Sequence, residues 1–151
     1  MDMRVLAAVF VMFLTACTPK NGPRAAAMPP APAVAWSDLE GAPYTVESLT
    51  VDGREVGLPG ERRPTMAFGA DHRVSGMAGV NRYSAEGELK TENGWAWKGA
   101  PVATRMAGPP EAMAVEAAFL EAIQKVARIE RRAGKLECSS ADGRTKIVLT
   151  R

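Results

Sequence analysis

The chain has 151 residues, 46% of them hydrophobic and 24% charged. That ordinary globular balance excludes a wholly disordered chain and leaves room for one domain. Its 19 Lys and Arg against 17 Asp and Glu are too even for a dedicated nucleic-acid binder, and two cysteines with one histidine leave little for a Cys/His zinc cluster.

The first segment reads as a leader. Arg4 gives a short positive start, diluted by Asp2, and Val5 to Leu14 is an unbroken apolar run of signal-peptide length, too short to span a bilayer. It ends in Leu14, Thr15, Ala16 and Cys17, which resembles a bacterial lipobox. There the thiol of Cys17 takes a diacylglyceryl group, and cleavage after Ala16 frees its amine for a third acyl chain. The alternative is an ordinary secretory signal in which Cys17 is incidental. Three acyl chains exceed the two signals that stable anchoring requires, at about 0.8 kcal/mol per buried methylene. Residues 1–16 are therefore expected to be removed and Cys17 to anchor the rest in the bacterial cell envelope. Thr18, where an Asp would suggest inner-membrane retention, favours the outer membrane facing the periplasm.

Residues 18–35 are rich in Pro and Ala, with prolines at 19, 23, 29, 30 and 32 that disfavour helix and sheet. In polyproline geometry this tether reaches at most roughly 55 Å. The domain is expected to begin at Trp36.

From there, short alternating runs are broken by turn signals. Tyr44 to Val51 alternates as a strand, Asp52-Gly53 is a hairpin turn into Arg54 to Val56, and Thr65 to Phe68 is a strand before a turn at Gly69 to Asp71. Another strand starts at Arg73. Glu86-Gly87, Asn93-Gly94 and Asp142-Gly143 are further turn signals, flanked by strands at Glu88 to Thr91, Trp95 to Lys98 and Thr145 to Leu149. Pro109 and Pro110 suit a helix start, and Ala112, Val115, Phe119, Ile123 and Val126 form one apolar stripe through Lys125. Glu121 and Lys125 are an i,i+4 ion pair on the wet side. Beyond Val126 the pattern fits more helix or a strand at Arg128 to Arg132, and Gly134 closes either. The fold class is α+β: an antiparallel meander or partly closed barrel with one main helix packed on it.

Arg73-Val74-Ser75-Gly76-Met77-Ala78-Gly79-Val80-Asn81-Arg82-Tyr83 resembles the central motif of the META domain family, and Thr104-Arg105-Met106-Ala107-Gly108 resembles its second motif. A helix with Met113, Glu116, Phe119 and Leu120 follows as in the family, and the resemblance spans Trp36 to Arg151. It implies a META-type α+β meander with a strand at Arg128 to Arg132, and a stress-related role. It also implies a departure. Relatives usually carry Cys where Val80 and Gly108 stand, as if one disulfide had been lost, a loss of about 2–4 kcal/mol that packing must offset.

Several residues allow more than one reading. Gly76 and Gly79 permit a sharp turn, Asn81 can hydrogen-bond turn backbone, and Tyr83 can pack its ring while its hydroxyl finds a partner. Arg105 can brace that turn through its five donors; a ligand carboxylate or phosphate is the functional alternative for Asn81 and Arg105. Trp95 and Trp97 point to one face of a strand, as core or as a stacking platform for a glycan or apolar ligand. Cys138 reads as a buried inert thiol rather than a reactive one. His72 reads as a solvated turn residue. Arg62-Arg63 and Arg131-Arg132 read as solvated faces, or as contacts to acidic lipid head groups.

No catalytic or metal-binding constellation emerges, and no motif calls for a cofactor. Arg73 stands where a nucleophile elbow around Ser75 would need Gly, no Gly-rich loop precedes Lys and Ser/Thr, and Glu111, Glu116 and Asp38 have no pairing visible in sequence. The expectation is a non-enzymatic, lipid-anchored domain that binds an envelope protein or component. The alternative is a carrier whose half-closed sheet holds a small apolar or glycan ligand.

Overall fold

A computed structural model describes residues 32–151, so the expected leader, Cys17 and most of the expected tether lie outside the described residues. The short helix α1 (Trp36–Leu39) opens the domain, with the Asp38 carboxylate accepting from the Ala35 N–H at 3.0 Å. The last carbonyls of α1, which no helical partner reaches, accept from arginines distant in sequence. Arg151 donates to Leu39 and Glu40, and Arg131 donates to Asp38 and to the Tyr44 hydroxyl. Arg131 is thus a brace rather than a solvated face, while Arg132 pairs with Glu130 at 2.6 Å.

Ten strands follow: β1 (Tyr44–Val51), β2 (Arg54–Glu55), β3 (Thr65–Phe68), β4 (Arg73–Met77), β5 (Arg82–Leu89), β6 (Trp95–Trp97), β7 (Val102–Ala103), β8 (Val126–Arg132), β9 (Lys135–Ser140) and β10 (Lys146–Thr150). Helix α2 (Pro110–Lys125) crosses between β7 and β8. The sheet order is β6-β5-β4-β3-β1-β10-β9-β8, with β2 on β1 and β7 on β5, and every strand pairing is antiparallel. Two meanders therefore join where β1 sits between β3 and β10. A bridge between Gly94 and Arg128 brings the two ends together and nearly closes the sheet into a barrel.

Local chemistry explains most boundaries. Asp52 and Gly53 both take positive φ (49° and 82°), as do Ala133 and Gly134 (49° and 79°), the backbone required by two-residue hairpin turns. Pro110 occupies the first helical turn, where its missing N–H costs nothing. At the other end Lys125 bonds Glu121 at 2.8 Å and Asp52 at 2.7 Å, tying the helix to the β1–β2 turn. The chain then passes from α2 into β8 without a loop. Val126 is already extended (φ −60°, ψ 124°) and buried, so the ambiguous segment is strand.

The sequence pattern misplaces one turn. Gly87 is not at a hairpin but within β5, opposite Trp97, and the strand ends at Leu89 rather than running to Thr91. The reversal is a 3-10 turn at Thr91–Asn93, with positive φ at Glu92 and Asn93 rather than at Gly94. Gly87 is needed for a different reason: the Trp95 ring lies where its Cβ would be.

The barrel is filled by side chains, including Tyr44, Leu49, Phe119, Ile123, Leu136 and Ile147, all fully buried. Each such side chain removed from water contributes about 1.5–3 kcal/mol. Among the described residues, no helix is long and apolar enough to cross a membrane.

Candidate functional site

The Gly76–Tyr83 motif is built around close backbone approaches. A Cβ on Gly76 would collide with the Thr65 carbonyl oxygen, and that same carbonyl accepts from the Tyr83 hydroxyl at 3.0 Å. Burial raises the Tyr83 hydroxyl pKa well above its ordinary value. Gly79 lies against α2, where a Cβ would stand 2.9 Å from the Ala112 carbonyl oxygen and 3.2 Å from Glu116 Cβ. Gly79, with φ 156°, also turns the chain, whereas Gly76 sits within β4 opposite Tyr83 and serves the close approach alone, not the turn expected of it.

Asn81, 1% exposed, is the centre of a polar clasp. Its Oδ1 accepts from the Met106 N–H at 2.7 Å and the Thr104 hydroxyl at 2.9 Å. Its Nδ2 donates to the Met106 carbonyl at 3.0 Å and to Glu116 Oε1 at 2.8 Å. Glu116 Oε2 accepts from the backbone N–H groups of Val80 at 3.0 Å and Asn81 at 2.7 Å. One buried amide and one buried carboxylate thus join the two motif loops to α2. All four hydrogen-bonding positions of Asn81 are occupied within the domain, which leaves none for a ligand.

Glu116 is the residue that the sequence reading left without a role. A signal existed, since 116 falls on the apolar face of α2, three and four residues from Phe119 and Ala112. An acid there needs buried donors.

The other sequence candidates fall in different places. Arg105 does not brace the turn: it is exposed and, among the described residues, its side chain makes no hydrogen bond or ion pair. The bracing comes instead from the shorter Asn81 and Glu116 side chains, which lie inside. Trp95 is 5% exposed, stacked on Trp36 (centroids 5.7 Å, 8° between planes) and edge-on to Phe68 and Trp97. The Trp97 indole N–H donates to the Ile123 carbonyl at 2.5 Å. Both rings are therefore packed in an aromatic cluster rather than displayed as a platform. The Trp95 indole N–H is buried without a partner among the described residues. His72 is exposed but not merely solvated, for its ring stacks on Trp36 at 4.6 Å. Cys138 is buried and free, with its thiol pushed up to about 12 by burial and then by neighbouring Glu137.

A second clasp holds the chain entry. Asn93 Oδ1 accepts from the Val34 N–H at 2.8 Å, and its Nδ2 donates to the Pro32 carbonyl at 3.2 Å. Residues 32–35, expected in the tether, are thus attached to the domain, because a buried amide satisfies their backbone. On the outer surface, a groove of about 690 Å³ lies along β5, bounded by Arg73, Arg82, Glu86, Lys98 and Val102.

The META domain family model matches residues 37–151. No curated protein matches the chain. Among solved structures, the NMR structure of a protein from Burkholderia xenovorans is similar, with 20% identity and a TM-score of 0.67, over 89% of this chain and 98% of that one. A second NMR structure is 24% identical with a TM-score of 0.58, over 78% of this chain and 95% of that one. These likenesses concern the fold.

Proposed function

The chain belongs to the META domain family, and from that premise we propose that it is a lipid-anchored binding protein of the bacterial cell envelope. It acts by presenting a fixed surface to an envelope protein or component, without catalysis, and its anchor is Cys17 at the outer membrane, facing the periplasm. A stress-related role belongs to the same reading. The observation that carries the binding part is the Asn81–Glu116 clasp. The polar side chains buried at the two family motifs are engaged in holding loops, with their hydrogen-bonding atoms turned to backbone and to each other. Here the pairing serves shape. The filled barrel and the packed Trp95 and Trp97 weigh against the carrier reading, which needs an open interior.

The anchor is tested by labelled palmitate with membrane fractionation of the wild type and Cys17→Ala. Label and membrane retention should both be lost in the variant. Equal label and retention would defeat the anchoring claim. Crosslinking in intact envelopes tests the binding claim separately, through recovery of a specific protein or glycan adduct.

A further inference from the structure

Among the described residues, the exposed large hydrophobic side chains are Val102 (74% exposed) and Met106 (56%), and both stand on the segment that the Asn81 clasp fixes. Thr104, between them, is held by two more bonds: its N–H donates to the Arg82 carbonyl at 3.0 Å, and its hydroxyl accepts from the Arg82 N–H at 3.1 Å. A mobile loop could bury these side chains against its own domain. This one cannot, because its backbone is tied to a buried amide.

The surroundings are cationic. Arg82 and Lys98 border the groove beside Val102, and Arg105 lies between Thr104 and Met106. None of the three makes an ion pair among the described residues, whereas Arg73 is paired with Asp71 at 3.3 Å. Glu86 lines the groove, and Glu88, already paired with Lys90 at 2.8 Å, lies near Lys98.

The groove has the shape of a strand. It follows β5, with Val102 paired opposite Ser84 and the Lys98 N–H donating to the Glu86 carbonyl at 2.9 Å, so it suits an extended segment.

From this geometry we infer that Val102, Arg105 and Met106, with Arg82 and Lys98, form a docking surface for an acidic, extended peptide segment carrying apolar side chains. The inference rests on the binding reading above and names the chemistry of its partner. The acidic side chains pair with Arg82, Lys98 and Arg105, and the apolar ones cover Val102 and Met106.

The test uses the purified chain carrying Cys17→Ser, which cannot take a lipid. The probes are fluorescein-labelled peptides of Glu-Glu-Leu repeats, with Lys-Lys-Leu and Glu-Glu-Ser repeats of the same length as controls. The first should bind, with amide shifts centred on Val102 to Met106, and the controls should not. Arg82→Glu combined with Lys98→Glu should weaken binding about tenfold, the loss of two exposed ion pairs. Met106→Ser, a change at an exposed site, should weaken it without moving the thermal melt. Equal binding of all three peptides, shifts mapping elsewhere, indifference to the charge reversal, or no binding would overturn the inference. So would preferential binding of phosphatidylglycerol–phosphatidylcholine vesicles through the same residues, which would make the surface a membrane contact. A specific crosslinked adduct in envelopes together with a failed peptide test would sink the peptide chemistry alone. Failure of both would sink the binding reading as well.

Discussion

A Cβ placed on Gly108 would stand 3.2 Å from the Cβ of Val80 and 2.9 Å from its Cγ1. The two positions where the family resemblance expects cysteines are therefore neighbours. The Val80 side chain also fills the space that a residue at 108 would occupy. One residue larger than cysteine and one smaller are in contact there.

Val80→Cys with Gly108→Cys should consequently form a disulfide. Bonded cysteines have Cβ atoms about 3.5–4.5 Å apart, so the loops need to open by only a few tenths of an ångström. Gly108 is not among the positive-φ glycines, so its backbone suits a cysteine. Closing a loop of about 28 residues contributes roughly 3–4 kcal/mol in the chain-entropy picture. Mass spectrometry detects the bridge, and denaturant melts with and without reductant measure its effect. Gly108→Ala alone should destabilise, because its methyl meets Val80.

Glu116→Ala should destabilise by about 3–5 kcal/mol, since it leaves the N–H groups of Val80 and Asn81 and the Asn81 amide without their acceptor. Glu116→Gln, which keeps an oxygen in place, should lose less. Chemical denaturation of the two variants provides the comparison; no loss in the isosteric Glu116→Gln beside a large loss in Glu116→Ala would mean that packing of the side chain, not its oxygens, holds the loops.

Gly87→Ala should displace the Trp95 ring and open the aromatic cluster, with a loss of about 1–3 kcal/mol from overpacking. Tryptophan emission should shift to the red together with the drop in melting temperature. An unchanged spectrum and melt would mean the ring has room elsewhere.

Cys138 makes stability fall at alkaline pH. Its thiol titrates at about 12 in the folded protein against an ordinary 9.0, so below pH 9 both states hold the proton. Between pH 9 and 12 only the unfolded chain releases it, and stability declines by up to about 1.4 kcal/mol per pH unit. Cys138→Ala should cost about 1–2 kcal/mol at pH 7 through lost packing and should flatten the decline between pH 9 and 10, above which the buried Tyr83 hydroxyl adds its own. Denaturant midpoints across that range decide the matter, and an identical slope in both proteins would remove the thiol as the cause.

Much of this architecture is legible in the chain because its turns are chemically explicit. Asp52-Gly53, Pro109-Pro110 and Gly134 mark boundaries through φ preferences that act locally. Gly87 misleads for the same reason: a glycine looks the same whether it serves a turn or makes room for a ring, and the ring that requires it lies across the strand pair. Asn81 and Tyr83 are readable as residues that need partners, but their partners, Glu116 and the Thr65 carbonyl, are set by tertiary contacts. Arg105 shows the converse. Its donors suggest a brace, and only the placement of a smaller amide inside the turn reveals that none is required.

Asn81 fixes the segment that presents Val102, Arg105 and Met106. Amide hydrogen exchange of the wild type and Asn81→Ala, followed at Met106, tests this directly. The Met106 N–H, which donates to Asn81 Oδ1, should be strongly protected in the wild type. In the variant it should exchange far faster, while the β9–β10 amides keep their protection. Unchanged protection of Met106 in Asn81→Ala would contradict the claim that this side chain holds the surface in place.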